Sequence, residues 1–201
     1  MSVRKSLGLP ENKTVFLTVR NLVPRMGIEA LIEAFERSAL LQKKSLLLIG
    51  GEGFLKRSLK TMVEMHGLES VIRFLGRISE DQLRLYYQAV DFFILPTREL
   101  EGFGLVILEA MACGTPVLGT PVGAIPELIR PFDSRLLFEG SRSGDMTAKL
   151  EDVLLHPELY SFDAQACRRY VEDRFSWERM AAAFEEEMVE LLKPSRRMPV
   201  P

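Results

Sequence analysis

Short runs of apolar residues recur along the chain with the length of buried β-strands. They cover residues 14–19, 45–50, 71–76, 91–96, 115–120 and 134–139, and each run has turn-forming residues nearby. Strands of a parallel sheet are covered by helices on both faces, so they are apolar throughout rather than alternating. The six runs therefore predict strands of a mainly parallel sheet.

Segments with helical spacing separate the predicted strands. Residues 27–41, 53–67, 79–90 and 104–114 have this spacing, and further helices are predicted roughly over 143–155, 157–173 and 177–192. The alternation of strand and helix implies right-handed crossovers and predicts a Rossmann-like, doubly wound α/β fold with extra C-terminal helices. We expect residues 1–193 to form one domain and the basic, proline-containing residues 194–201 to be a disordered tail.

Composition and charge limit the classes of partner. The chain has 201 residues, is 47% hydrophobic and has a formal net charge of -2. This balance provides no positive field for nucleic acid, so we expect no nucleic-acid partner and only local recognition of phosphate. Cys113 and Cys167 make neither a disulfide framework nor a metal cluster, which fits a reducing compartment. Because no apolar run reaches the roughly 18 residues of a transmembrane helix, we expect a cytoplasmic protein.

The loops that follow the predicted strands are the first place to look for a ligand site. In an open α/β sheet, ligands bind beyond the carboxyl ends of the strands. The second strand is followed by GGEGF, which lacks the G-x-G-x-x-G pattern of a dinucleotide site. A nicotinamide cofactor is therefore disfavoured, and the loop is either a plain tight turn or a cradle for another ligand.

The fourth loop contains two glutamates on either side of a predicted helix start near Gly104. The free amides and positive dipole end of such a helix favour phosphate. Glu101 precedes the helix, and Glu109 lies about 7 Å inside it at 1.5 Å per residue. One carboxylate on each side of a phosphate site suits a sugar, a diphosphate and a ribose in order, which indicates a nucleotide-sugar. Set among apolar residues, Glu109 is expected to be buried, beside the ribose. In the alternative interpretation, Glu101 is a solvated loop acid and Glu109 pairs with a basic neighbour.

Several segments together resemble the C-terminal, donor-binding domain of retaining GT-B glycosyltransferases of the group-1, family 4 type. EGFGLVILE matches the E-x7-E motif of that family and continues into AMACGTPVLGTPVGAIPE, where Ala124 replaces a glycine. LLLIGGEG, FLGRIS, AVDFFILPTRELEGFG and FSWERM are similar to family segments in the same order. The resemblance covers almost the whole chain.

The resemblance implies a role for each matching residue. Glu101 would contact the hydroxyls of the transferred sugar at the reacting face, and Glu109 would accept the ribose hydroxyls. Backbone amides of Phe103 and Gly104 would hold the sugar, and those of Leu105 and Val106 would hold the diphosphate. Main-chain groups of Gly76 and Arg77 would contact the base, and Gly51 would allow close approach of the donor.

One family motif departs from its usual form. The family supplies an arginine and a lysine, five positions apart, to neutralise the diphosphate. The aligned positions here hold Asn21 and Met26, while Arg20 and Arg25 stand one residue earlier and keep the spacing of five. We expect one or both arginines to serve instead, although a shift of one residue normally redirects a side chain. The other interpretation makes them surface charges.

The function implied by the resemblance is transfer of a hexose from a UDP- or GDP-sugar to an acceptor hydroxyl, with retention, in polysaccharide biosynthesis. No D-x-D pair is present, so we expect no metal and no cofactor. The N-terminal acceptor domain of the family has no counterpart in this sequence, so we expect the chain alone to be inactive. Peripheral membrane association is an expectation for the full enzyme only. A non-catalytic scaffold or regulatory module of the same fold is the alternative. A sugar phosphorylase or nucleotide-sugar epimerase is a weaker one.

Overall fold

A computed structural model describes residues 2–192, and a parallel β-sheet forms its centre. Within these residues the sheet has five strands, all parallel, in the order β3-β2-β1-β4-β5. The strands are β1 Thr14–Val19, β2 Ser45–Gly50, β3 Ile72–Gly76, β4 Phe92–Leu95 and β5 Val117–Gly119. All of β2 and β4 is buried, which explains their unbroken apolar sequences.

Helices cover both faces of the sheet, as the sequence predicts. The described helices are α1 Val3–Ser6, α2 Ile28–Glu36, α3 Ala39–Lys44, α4 Lys56–Met65, α5 Glu80–Ala89, α6 Leu105–Ala112, α7 Ile125–Ile129, α8 Ser143–Leu155, α9 Ala164–Phe175 and α10 Trp177–Leu192. Helix α2 packs on α3, α4 and α8, whereas α6 packs on α9 and α1 on α5. The Rossmann-like α/β prediction is confirmed.

The strand order reverses between β1 and β4. The chain runs from β1 to β2 and β3 on one side of the sheet, and then crosses back to β4 and β5 on the other. At such a switch point the loops after the two central strands diverge and leave a crevice at their carboxyl ends. Residue 20 follows β1 and residue 96 follows β4, so both loops open onto that crevice.

Three element predictions are wrong in detail. Residues 134–139 do not form a sixth strand: Ser134–Leu136 is a 3₁₀ turn, because the Asp133 carboxylate accepts the Arg135 amide at 2.9 Å, and only Leu137 bridges to Gly119. The helix predicted over 27–41 is divided at Ser38, whose extended backbone and hydroxyl cap α3. The helix predicted over 157–173 begins only at Ala164, where the Asp163 carboxylate caps it.

The short helices α1 and α7 were not expected, and the predicted disordered tail over 194–201 lies outside the described residues.

Among residues 2–192, no helix is long and apolar enough to cross a membrane. Helix α10, which was expected, is exposed along its length.

Candidate functional site

A cleft of about 810 Å³ opens at the carboxyl ends of the strands, at the switch point between β1 and β4. It is bounded by the loops after β1, β2, β3 and β4 and by the start of α6. Nine of the predicted site residues line it: Arg20, Arg25, Gly51, Arg77, Glu101, Phe103, Gly104, Leu105 and Val106. Since these residues come from four separate loops, the topology of the sheet brings them together.

Arg20 and Glu101 form an ion pair in this cleft. Nη2 of Arg20 lies 2.6 Å from Oε2 of Glu101, and the two side chains are 8% and 10% exposed. The hydroxyl of Thr97 donates to the same oxygen at 3.0 Å. Thr97 is fully buried, and its own carbonyl accepts the Thr120 hydroxyl at 2.6 Å. The Glu101 carboxylate is therefore held from a rigid part of the core, so it is not a solvated loop acid.

The Arg20 guanidinium also contacts Met26. Its Nε and Nη2 atoms lie 3.2 and 2.8 Å from the Met26 sulfur, and the Met26 side chain is buried. A thioether sulfur is a weak but polarizable acceptor. Met26, which is aligned with the lysine of the family, thus packs against Arg20, one of the two arginines predicted to serve instead.

The turn after β1 is tied directly to the loop after β4. The Arg25 carbonyl accepts the Arg98 amide at 2.8 Å, and the Arg25 guanidinium donates to the Leu100 carbonyl at 2.9 Å. Leu100 has φ +58° although it is not glycine, and its side chain is 78% exposed. A left-handed leucine costs roughly 1–2 kcal/mol. This strain lies immediately before Glu101.

Two glycines allow backbones to meet at the cleft. A Cβ atom on Gly51 would lie 1.9 Å from the Arg20 carbonyl oxygen, and one on Gly123 would lie 2.1 Å from the Glu101 carbonyl oxygen. Both have positive φ, +121° and +56°. Since neither position tolerates a side chain, each fixes the backbone next to a member of the ion pair.

Helix α6 begins where the sequence predicts, with Gly104 as its N-cap at φ +82°. The first amides of an α-helix have no partner within the helix, so those of Leu105 and Val106 are free to bind an anion. Both residues line the cleft. Phe103, just before the cap, packs edge-on against Phe175 at the end of α9, with ring centroids 6.4 Å apart.

Glu109 is exposed, which corrects the expectation that it is buried. Ile107, Ala110 and Met111 form the buried face of α6, and Glu109 lies outside that face and outside the cleft lining. The hydroxyl of Tyr87 donates to its Oε2 at 3.1 Å. Burial, reinforced by the Glu109 carboxylate, raises the pKa of Tyr87, so this phenol is a firm donor. The side-chain partner that the described residues supply to Glu109 is thus a tyrosine hydroxyl.

Gly76 also lies outside the cleft lining, but it is joined to it. Its carbonyl accepts the Gly51 amide at 2.7 Å, which connects the loops after β2 and β3. Arg77, one residue later, is exposed and lines the cleft.

The sequence analysis missed the residues that support the site: Thr97, Thr120, Tyr87, Leu100 and Gly123. Thr97 is four positions before Glu101, so its place in the same loop was available as a signal. Leu100 directly precedes Glu101, but nothing in the sequence signals its left-handed backbone. Thr120, Tyr87 and Gly123 contact the site from more distant parts of the chain, which no spacing in the sequence reveals.

A second cavity, of about 670 Å³, lies at the opposite, amino ends of β1, β4 and β5. Thr14, Asp91 and Thr115 line it, and Asp91 is committed to Arg4 and to the Val15 amide. Because ligands of open α/β sheets bind at the carboxyl ends of the strands, the cleft at the switch point is the better functional site.

Comparison with known proteins identifies the family of the chain. The family described as Glycosyl transferases group 1 matches residues 2–171. The chain belongs to this family. This glycosyltransferase domain is 32% identical, over 89% of its length, to a GDP-mannose-dependent mannosyltransferase of Corynebacterium glutamicum that acts on a monoacylated phosphatidylinositol monomannoside. The chain spans about half the length of the curated relatives it matches, 48% in this case.

Solved structures place the glycosyltransferase domain in the GT-B class. It superposes on the C-terminal domain of a group 1 glycosyl transferase from Francisella tularensis with a TM-score of 0.75 and 25% identity, covering 87% of this chain and 92% of that one. It matches the Anabaena protein HepE, solved with UDP-glucose, with a TM-score of 0.79 and 22% identity, covering 94% of this chain and 51% of that one. The latter likeness shows the fold alone.

Proposed function

We propose that this domain binds the donor nucleotide-sugar of a retaining glycosyltransferase that transfers a hexose from a UDP- or GDP-sugar to an acceptor hydroxyl. The observation that carries the proposal is the convergence, in one cleft, of the α6 N-terminus with the buried Arg20–Glu101 pair. The relative from Corynebacterium glutamicum supports the ligand class, since it is GDP-mannose-dependent.

The diphosphate is the part of the donor that the start of α6 fits. The free amides of Leu105 and Val106 and the positive end of the helix dipole favour an anion at this point. Arg25 and Arg77 add positive charge at the rim of the same cleft. No acidic side chain stands in the first turn of α6 to oppose the phosphates.

With the donor lying along α6, the two glutamates bind different parts of it. Glu101, before the helix, binds hydroxyls of the transferred sugar. Glu109 is four residues after Leu105, so it lies on the same side of α6 and one turn further along. There it accepts the two ribose hydroxyls, while main-chain groups around Gly76 and Arg77 contact the base. The Tyr87 hydroxyl orients Glu109 for this contact.

In the proposed reaction, the bond between the anomeric carbon and the leaving phosphate oxygen breaks while the acceptor oxygen bonds to the same carbon on the same face. The acceptor proton passes to the leaving phosphate. The protein's share is electrostatic, because preorganised amides stabilise the growing charge on the diphosphate. Glu101 orients the sugar and is not the base, and no metal is required in this scheme.

We expect the acceptor to bind on an N-terminal domain that this chain does not contain, so that the chain binds donor but does not transfer sugar alone. Calorimetric titration of the 201-residue chain with UDP-glucose and GDP-mannose tests the donor site. Saturable binding of one of them at millimolar concentration or below is expected. Absence of heat from both, with folding confirmed by circular dichroism, contradicts the proposal.

The buried Met26 favours one alternative, a non-catalytic scaffold of the same fold. A methionine at this position supplies no charge to a diphosphate, and its sulfur is occupied by Arg20. A scaffold binds no nucleotide-sugar, so the same titration distinguishes the two functions.

A further inference from the structure

We propose that a buried support formed by Tyr87, Phe93 and Thr115 makes the donor site selective for ribonucleotides over nucleotides that lack the ribose hydroxyls. Tyr87 determines this specificity as a positioning residue, because it holds the Glu109 carboxylate while its own side chain lies in the core. The inference rests on the proposed function, in which Glu109 accepts the ribose hydroxyls, and adds the means by which the domain distinguishes one class of nucleotide from another.

The Glu109 carboxylate is held from one side only. Glu109 is exposed on helix α6, where a glutamate side chain ordinarily samples several rotamers. The Tyr87 hydroxyl donates to Oε2 at 3.1 Å, and no other side chain among residues 2–192 donates to this carboxylate. A carboxylate has about four acceptor positions, so Oε1 and the second lone pair of Oε2 are left for two ligand hydroxyls. The carboxylate is therefore oriented before a ligand arrives, which lowers the entropy lost on binding.

Tyr87 is itself fixed, through its ring and through its backbone. The ring packs edge-on against Phe93 of β4, with centroids 5.3 Å apart and an interplanar angle of 71°. The backbone carbonyl accepts the Thr115 hydroxyl at 2.5 Å. All three residues are buried. The phenol is thus held from strand β4 and from the loop that precedes β5.

The Thr115 contact takes the place of a helix hydrogen bond. The last four carbonyls of an α-helix have no partner within the helix, and Tyr87 lies in the last turn of α5. The amide that would continue the helix beyond Tyr87, that of Asp91, donates instead to the Val15 carbonyl at 2.9 Å. Thr115 donates in its place, so it anchors the end of α5 and with it the Tyr87 side chain.

The Tyr87 phenol acts on Glu109 as a neutral donor. Burial, reinforced by Glu109, raises the pKa of Tyr87, so the hydroxyl keeps its proton at neutral pH. A neutral donor orients the carboxylate without cancelling its charge, so the bonds from ribose hydroxyls keep the strength of charge-assisted hydrogen bonds. A nucleotide without those hydroxyls faces a fixed carboxylate to which it donates nothing, which disfavours its binding.

The test compares each nucleoside diphosphate with its 2′,3′-dideoxy analogue, which has no hydroxyl to donate to Glu109. Kd values of the full chain for UDP, GDP and these two analogues are measured by titration of ¹H–¹⁵N spectra in wild type, Tyr87→Phe and Thr115→Val. For whichever nucleotide wild type binds, we expect the analogue to bind about tenfold or more weakly, as for the loss of a charged hydrogen bond.

The two variants should lower this ratio by weakening the ribonucleotide. In Tyr87→Phe, we expect the Kd for the ribonucleotide to rise about three- to tenfold, while the Kd for the analogue changes less than about twofold. Thr115→Val leaves the phenol in place but loosens the end of α5, so we expect a smaller fall in the ratio, about two- to threefold.

Two controls separate orientation of Glu109 from general damage. Tyr160→Phe removes the hydroxyl of another buried tyrosine, which donates to Asp152 beside the cavity at the amino ends of the strands, and should leave the ratio unchanged. In a Glu109→Ala background, Tyr87→Phe should change the Kd for the ribonucleotide less than about twofold, because the group that it positions is gone.

Equal weakening of a ribonucleotide and its analogue in Tyr87→Phe, or no change in either, overturns the inference. If Tyr87→Phe does not fold, an unchanged ratio in Thr115→Val overturns it. A wild-type ratio below about threefold overturns it as well, and leaves the diphosphate site in place. If wild type binds neither UDP nor GDP, the proposed function itself is wrong.

Discussion

Arg20 and Glu101 are 81 positions apart in the chain, yet Nη2 of Arg20 lies 2.6 Å from Oε2 of Glu101 in the folded domain. The contact follows from topology, because β1 and β4 are neighbours at the point where the strand order reverses. Residues that follow these two strands must meet in the same crevice. The site is thus a product of the sheet topology.

Glu109→Ala tests the ribose contact. We expect the affinity for the nucleoside diphosphate to fall about 10- to 150-fold, equivalent to about 1.5–3 kcal/mol for a hydrogen bond to a charged group. Calorimetry with UDP and GDP measures it. The matched control is Glu64→Ala, which removes an exposed glutamate from helix α4 and should leave the affinity unchanged. Unchanged affinity in Glu109→Ala as well would remove Glu109 from the donor site.

Gly51→Ala tests the close approach of two backbones. The new Cβ would lie 1.9 Å from the Arg20 carbonyl oxygen at a φ of +121°, so we expect a loss of about 2 kcal/mol or more in the free energy of unfolding. Gly144→Ala is the opposite case, because this position in helix α8 has open space around it. We expect it to stabilise by up to about 1 kcal/mol. Urea denaturation of both variants checks the contrast, and equal effects would contradict it.

The apolar runs predicted the sheet well because β2, β4 and β5 are buried throughout and only the ends of β1 are half-buried, so that local sequence and tertiary environment agree. The run at residues 134–139 shows the limit of this signal. Leu136, Leu137 and Phe138 are indeed buried, but the Asp133 side chain turns the backbone into a 3₁₀ turn. An apolar run thus predicts that its residues are buried. Here a side-chain hydrogen bond determines that the backbone forms a turn and not a strand.

The features of the site that lie within one stretch of sequence were predictable, whereas the contacts between distant elements were not. The start of α6 at Gly104 and the position of Glu101 before it follow from one stretch of sequence. The exposure of Glu109 does not, because the apolar residues beside it belong to another face of the helix. The Tyr87 contact depends on packing between elements distant in the chain, and the Thr97 contact depends on a side-chain rotamer. The spacing of residues in the sequence specifies neither of them.

Thr18→Val should stabilise the protein. Among the described residues, the Thr18 hydroxyl is the one buried side-chain polar group without a hydrogen-bond partner. Valine has nearly the same shape, so we expect a gain of about 1 kcal/mol in the free energy of unfolding. Thr120→Val is the control, since its buried hydroxyl donates to the Thr97 carbonyl at 2.6 Å and its loss should destabilise. Denaturant midpoints check both signs, and a destabilised Thr18→Val would show that the hydroxyl has a partner.

The Tyr87 phenol predicts how stability depends on alkaline pH. Burial and Glu109 raise its pKa in the folded state above the ordinary value of 10.0. Its contribution is therefore complete below pH 10 and is lost as the pH rises further, because the unfolded chain releases this proton first. Between pH 10 and 11, we expect wild type to lose about 1 kcal/mol more than Tyr87→Phe in urea denaturation. Parallel losses in the two proteins would contradict the raised pKa.

Amide chemical shifts test, residue by residue, whether the start of α6 receives the diphosphate of a nucleotide-sugar. In ¹H–¹⁵N spectra of the chain titrated with UDP-glucose or GDP-mannose, we expect the largest changes at Gly104, Leu105 and Val106, with smaller ones at Gly51 and Arg77. Changes confined to Thr115, Arg168 and the other residues around the cavity at the amino ends of the strands would contradict the account.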